Sequence, residues 1–181
     1  MSQTQFAELT ESEFNDLGRI SRFYYHQAEK CSETKAYLAG CVMLGAALEA
    51  NLVAMVCCFP EEVSRCCKLP KNKNGKAKPV LAWTLRQLLD IAKELDWLPS
   101  KLIESEEWDS KKAHIGDWSD ILRELRNLIH AGRYLTDYPN TRITKKYLEI
   151  SFEILEVAND HLRERVDSSL RDTIYKSNGY E

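Results

Sequence analysis

Four side chains near residue 125 carry the chemistry that this sequence offers. Arg123, Arg126, Asn127 and His130 stand at offsets of 0, 3, 4 and 7, a spacing that lines them along one side of an α-helix. The opposite side carries Ile121, Leu122, Leu125, Leu128 and Ile129. A guanidinium is a rigid fork of donors matched to phosphate oxygens. An imidazole can take or give a proton near neutral pH. Together they suit metal-independent cleavage of RNA, in which a base deprotonates the 2′-hydroxyl and arginine stabilises the charge that grows on phosphorus. His130 is then the acid or base, Arg126 or Arg123 holds the scissile phosphate, and Asn127 orients it. Arg133, just past the helix, adds a phosphate contact. No Walker glycine loop and no clear carboxylate cluster points to an NTPase or a metal mechanism instead. The same residues also fit a structural role. Glu49 is a lone acid in an apolar helix and needs a partner, which an arginine of the stripe can supply.

These side chains need a scaffold, and periodicity predicts one made of helices. Helix one starts near Thr10, which has capping-box spacing to Glu13. Phe14, Leu17, Tyr24, Ala28 and Cys31 then mark its apolar face. Ser32 is placed to cap helix two, which runs to about Phe59 before Pro60. Helix two is apolar almost all round, as a central helix should be. Its stretch from Ala36 to Cys58 holds 23 residues with one charge, Glu49, and one amide, Asn51. That length could cross a membrane. An acid past mid-helix would cost roughly 3 kcal/mol there, so burial by neighbouring helices is the expectation, with no membrane partner. Helix three is expected from Val80 to Asp96. A short helix and loops are expected from Leu98 to His114. Helix four should run from Asp117 to Gly132, and helix five from Thr144 to about Ser168. The predicted fold is all-α, a bundle of about five helices, with one domain over residues 1–170 and a tail over 171–181.

Composition agrees with that scaffold. The chain has 181 residues, of which 44% are hydrophobic and 29% charged, with only 7 glycines and 5 prolines. This suits a single helical domain and argues against a turn-rich β sandwich. A net charge of −3 does not mark a bulk nucleic-acid binder, yet it leaves room for a local basic patch. One such patch is visible: Arg65, Lys68, Lys71, Lys73, Lys76 and Lys78 occur with no acid between them. It reads as a loop, either a solvated one or an arm in which Lys68, Lys71, Lys73, Lys76 and Lys78 bind phosphate. The polar, acidic N-terminus has no signal-peptide pattern, so a cytoplasmic location is expected. The six cysteines include the adjacent pairs Cys57–Cys58 and Cys66–Cys67. They are read as reduced structural thiols, with no metal and no cofactor implied.

The segment LRELRNLIHAGRY, Leu122 to Tyr134, resembles the last conserved helix of HEPN-like proteins, many of which carry RNLIHPGR-type text. GAALEANL, Gly45 to Leu52, resembles their second helix, and the two occur in the family's order over about 120 residues. The resemblance implies a HEPN-like bundle. It also implies an Arg/His motif in which His130 is the histidine and Arg126 or Arg123 the arginine, with Glu49 at the acidic position of helix two. Arg126 leaves three residues before His130 and Arg123 leaves six, against the family's four to six. Ala131 stands where relatives often have proline. The activity implied is a metal-independent endoribonuclease in a toxin–antitoxin or antiviral defence system. Such proteins commonly work as homodimers with two motifs lining one cleft, in contact with an RNA substrate or an antitoxin or defence-system protein. Other members are non-catalytic scaffolds or partner-binding proteins, and that is the alternative reading. A regulator that binds a small molecule or nucleotide is a third. It would be marked by an open pocket lined by Arg126, His130 and Tyr24 or Tyr25.

Overall fold

The computed structural model describes residues 4–99, 115–137 and 142–177. Most of the expected short helix and loops after Leu98 therefore lies outside the described residues. Among the described residues five helices build the bundle: α1 (Glu11–Glu33), α2 (Tyr37–Cys58), α4 (Leu85–Glu94), α5 (Ile115–Asn127) and α7 (Lys145–Ser177). Two short ones accompany them, α3 (Pro60–Ser64) and α6 (Ala131–Asp137). Among the described residues there is no strand, only one isolated antiparallel bridge, Lys71 to Ala77.

Local chemistry sets the helix ends. Thr10 and Glu13 form a reciprocal capping box at the start of α1, satisfying two backbone donors that the first turn leaves unpaired. Thr84 and Gln87 do the same for α4. That box starts the helix five residues later than the periodicity suggests. Val80–Ala82 is a 3-10 turn, and Trp83 goes into the core beside Phe6. Ser32 does not cap α2, because α1 continues through it. The helix closes with Lys35 in the left-handed region (φ 61°), while the Ala36 amide bonds back to the Cys31 carbonyl at 2.8 Å. This six-to-one closure satisfies C-terminal carbonyls and takes up the residues that a separate cap would need. At the other end of the chain, α7 continues to Ser177 rather than ending near Ser168.

α2 is the hub. It packs against α1, α4, α5 and α7, burying Leu44, Leu48, Leu52 and Val56. It is also the one described helix long and apolar enough to cross a membrane. Small residues set how near its neighbours come. A Cβ on Gly40 would lie 2.7 Å from a Leu148 methyl of α7. Trp83 and Trp97 are core residues at 5% and 1% exposure, so neither is a free recognition platform. All six cysteines are free thiols.

Candidate functional site

The site begins with a glycine. A Cβ on Gly45 would lie 3.0 Å from the Arg126 Cβ and 3.3 Å from the Leu122 carbonyl oxygen. The bare backbone of α2 therefore lets α5 come close. Glu49 lies one helical turn further on the same face of α2, and it meets Arg126 there. The Arg126 Nη2 to Glu49 Oε2 distance is 2.6 Å, with the side chains 31% and 24% exposed. The structure thus supplies the partner that an acid in an apolar helix demands. Burial pushes the Glu49 carboxyl above its ordinary range, and the charge of Arg126 opposes that shift.

Arg123 is more enclosed, its side chain 12% exposed. Its Nε donates to Asp120 at 3.0 Å, and its Nη2 donates to Glu124. Asp120 also accepts from Lys93 of α4, and Lys93 reaches Asp117 at 3.0 Å. Burial works against the Asp120 charge, but the hydrogen bonds from Lys93 and Arg123 hold its carboxyl below the usual aspartate range. Glu124 in turn lies 3.6 Å from Arg133. Lys93, Arg123, Arg126 and Arg133 thus pair with Glu49, Asp117, Asp120 and Glu124 among the described residues.

His130 lies outside the helix that carries Arg123, Arg126 and Asn127. α5 ends at Asn127, and the chain crosses Leu128 to His130 in a turn before α6. The amides of Leu128 and His130 bond to carbonyls three residues back, at 3.2 and 3.0 Å. Three-residue turns are tighter than an α-helix and shift each later side chain around the axis. This one keeps Leu128 buried at 3% and leaves Ile129 59% exposed and His130 exposed. The single helix expected from Asp117 to Gly132 is therefore two helices, with Gly132 inside the second. Asn127 is half-buried at the end of α5, where its carbonyl accepts the His130 amide. The imidazole of His130 has no hydrogen bond or ion pair among the described residues.

The basic segment is an ordered hairpin anchored on α4 and the turn before it. The carboxylate of Glu94 accepts from the Cys67 and Lys68 amides at 2.6 and 3.0 Å. Trp83 Nε1 donates to the Lys78 carbonyl at 2.9 Å. Lys68 lies 3.9 Å from Asp90. At the tip, the Asn72 side chain accepts from the Asn74 and Lys76 amides, and Gly75 takes φ 75°.

Sequence reasoning missed Lys93, which joins α4 to α5 through Asp117 and Asp120. The i,i+3 spacing of Asp120 and Arg123 could have signalled half of that network, but a partner on another helix leaves no local trace. It also missed the ion pair of Glu62 with Arg165, whose guanidinium lies 4.8 Å from the centre of the Phe59 ring. Open grooves flank the bundle, two of them lined by described residues. One, of about 590 Å³, includes Tyr37, Val42, Met43, Ile129 and Ile143 in its lining. The other, of about 430 Å³, lies between α1 and α7 over the Asn51–Asn159 amide pair. Neither contains Arg126, His130, Tyr24 or Tyr25. Among the described residues no group of three or more His, Cys, Asp or Glu is placed to hold a metal ion. No protein-family model, curated protein or solved structure matches this chain.

Proposed function

We propose that the chain is a HEPN-like helical module that works by association, as a symmetric homodimer that holds a partner protein, rather than by cutting RNA. The observation that supports this most directly is the state of the two arginines. Arg126 is bound by Glu49, and Arg123 by Asp120 and Glu124. A scissile phosphate would have to displace carboxylates already held at hydrogen-bond distance. The association surface is the α5–α6 corner. Ile129 and Leu135 there are 59% and 70% exposed, and the groove of about 590 Å³ opens beside Ile129. Exposed apolar surface of this kind favours a covering partner. A second copy seated there brings two His130 turns together, as the family resemblance implies. The further partner fits the setting that the resemblance suggests, an antitoxin or a defence-system protein in the cytoplasm.

The test combines mass and chemistry. Light scattering after size exclusion should give a dimer for wild type and a monomer for Ile129→Glu, with neither protein cleaving mixed-sequence RNA in EDTA. Cleavage by wild type that His130→Ala abolishes, leaving 2′,3′-cyclic phosphate ends, overturns this reading and establishes a second one. That second reading, a metal-independent endoribonuclease of HEPN type, draws on His130 itself. Its imidazole is exposed and unengaged among the described residues, open to a substrate that brings its own phosphate.

A further inference from the structure

The ion pairs of α5 consume its charge, and the hairpin over residues 65–78 does the opposite. Its six cations meet no acid in sequence. Among the described residues only Lys68 has an ion-pair partner, Asp90 at 3.9 Å. Arg65, Lys71, Lys73, Lys76 and Lys78 have none among the described residues. The backbone that carries them is fixed before any ligand arrives. The Asn72 amide bonds to the Lys76 carbonyl at 2.8 Å and the Lys78 amide to the Pro70 carbonyl at 2.9 Å. Those bonds flank the Lys71–Ala77 bridge. Residues opposite each other in such a bridge share a face and their neighbours take the other. Lys71 therefore lies on the Ala77 face, and Lys76 and Lys78 on its reverse.

We propose that this hairpin is a binding surface for double-stranded nucleic acid, which it grips by the phosphate backbone. The residue types favour that ligand. The tip from Lys71 to Lys76 holds only lysine, asparagine and glycine, so it offers no apolar wedge to a bilayer and no buried anchor to a protein partner. Lysine is a flexible point charge rather than a bidentate fork, which suits phosphate better than base edges. No aromatic residue lies between positions 65 and 78, so an unpaired strand gains no stacking. Affinity then follows charge density, and a duplex, with one phosphate per about 1.7 Å of axis, outranks a single strand. Cations on both faces of the hairpin meet the two strands that flank a groove, so with five engaged binding should weaken by roughly 500-fold between 50 and 200 mM salt.

The experiment is fluorescence anisotropy with 20-base-pair RNA and DNA duplexes and a 20-nucleotide single strand, each in two unrelated sequences. Wild type is compared with Lys71→Glu/Lys73→Glu/Lys76→Glu and with Arg22→Glu/Arg142→Glu/Lys146→Glu. The control carries the same change in net charge on exposed residues elsewhere, and circular dichroism checks both folds. Wild type should bind duplex of either sequence more tightly than single strand. The hairpin variant should lose roughly 30-fold or more in affinity and lower the salt slope by about 3, one per lysine. The control should stay within about 3-fold. The RNA and DNA arms tell which duplex is preferred, and binding of either supports the proposal. Equal losses in the two variants overturn it, as does a hairpin variant that binds like wild type. So does single strand held as tightly as duplex. Binding to phosphatidylserine vesicles or to a polyglutamate peptide, with no duplex binding, assigns the surface to another partner. His130 and the dimer surface take no part in this readout, so its failure is separable from that of the association reading.

Discussion

Two cationic regions of one small bundle have opposite electrostatics. The α5 region holds arginines on a regular helix, where acids recur at helical spacing and on the facing helices. Asp120 lies three residues before Arg123, Glu124 lies beside it, and Glu49 faces Arg126 from α2. The hairpin holds lysines on a turn with no acid of its own. The first arrangement ties elements together, and the second leaves charge available to a ligand. A count of basic residues does not separate them, whereas the placement of the acids does.

Each region depends on a glycine, and substituting the two should give different results. Gly45→Val puts a branched side chain where even a Cβ would sit 3.0 Å from Arg126 and 3.3 Å from the Leu122 carbonyl. The gain in helix propensity, about half a kcal/mol, is outweighed by overpacking of roughly 1–3 kcal/mol. The expected loss of stability is about 2 kcal/mol by urea denaturation, with α5 pushed off α2. Gly75→Ala meets no atom but inherits φ 75°. It should cost about 1 kcal/mol, and its effect should fall on the hairpin. If Gly45→Val proves as mild as Gly75→Ala, the close approach of α5 is not what holds Arg126 against Glu49.

A smaller effect comes from acid, where the carboxylates of the α5 network differ in sign. Asp120 is held below its ordinary range, so it contributes stability above the unfolded aspartate value of about 3.9. That contribution is lost as pH falls through the folded value. Glu49 is pushed the other way by burial. Between its unfolded value and its raised folded value the native state holds more protons, so stability falls as pH rises through that window. Asp120→Asn should lower stability by about 1 kcal/mol at neutral pH and flatten the loss at the acid end. Glu49→Gln should instead remove the decline across the mildly acidic window. Urea midpoints measured against pH check both. Identical pH profiles for the two variants would show that burial does not distinguish the two acids.

Much of this architecture is legible in the sequence, and the gaps have a common cause. Thr10 with Glu13 marks the start of α1, and the apolar run around Leu44 and Leu48 marks the central helix. Glu49 marks the need for an arginine. Each of these is local chemistry or a single strong burial signal. The turn at Leu128 to His130 is different. Its text continues the helical period, and only the burial of Leu128 with exposure of Ile129 reveals the three-residue closure. Lys93 reaches Asp117 and Asp120 across 24 and 27 residues, a separation that no window captures. The hairpin sits between these cases. Asn and Gly at its tip announce a turn, but its order depends on Glu94 and Trp83, both supplied by later residues.

His130 carries the acid–base chemistry of the α5–α6 corner, and its substitution should have the smallest effect on the fold. His130 is exposed, and its side chain has no partner among the described residues. Substitutions at such positions change stability by about 0.5 kcal/mol or less. His130→Ala should therefore unfold at the wild-type urea midpoint. It should also bind duplex within about 2-fold of wild type, since His130 lies outside the hairpin that carries the unpaired cations. A large loss of stability in His130→Ala would mean that the turn is braced by its imidazole and belongs to the neutralised α5 network. A large loss of duplex binding would join His130 to the hairpin in one nucleic-acid surface and bring RNA chemistry back to this corner. The null result keeps the two regions apart, one assembling the bundle and the other meeting a polyanion.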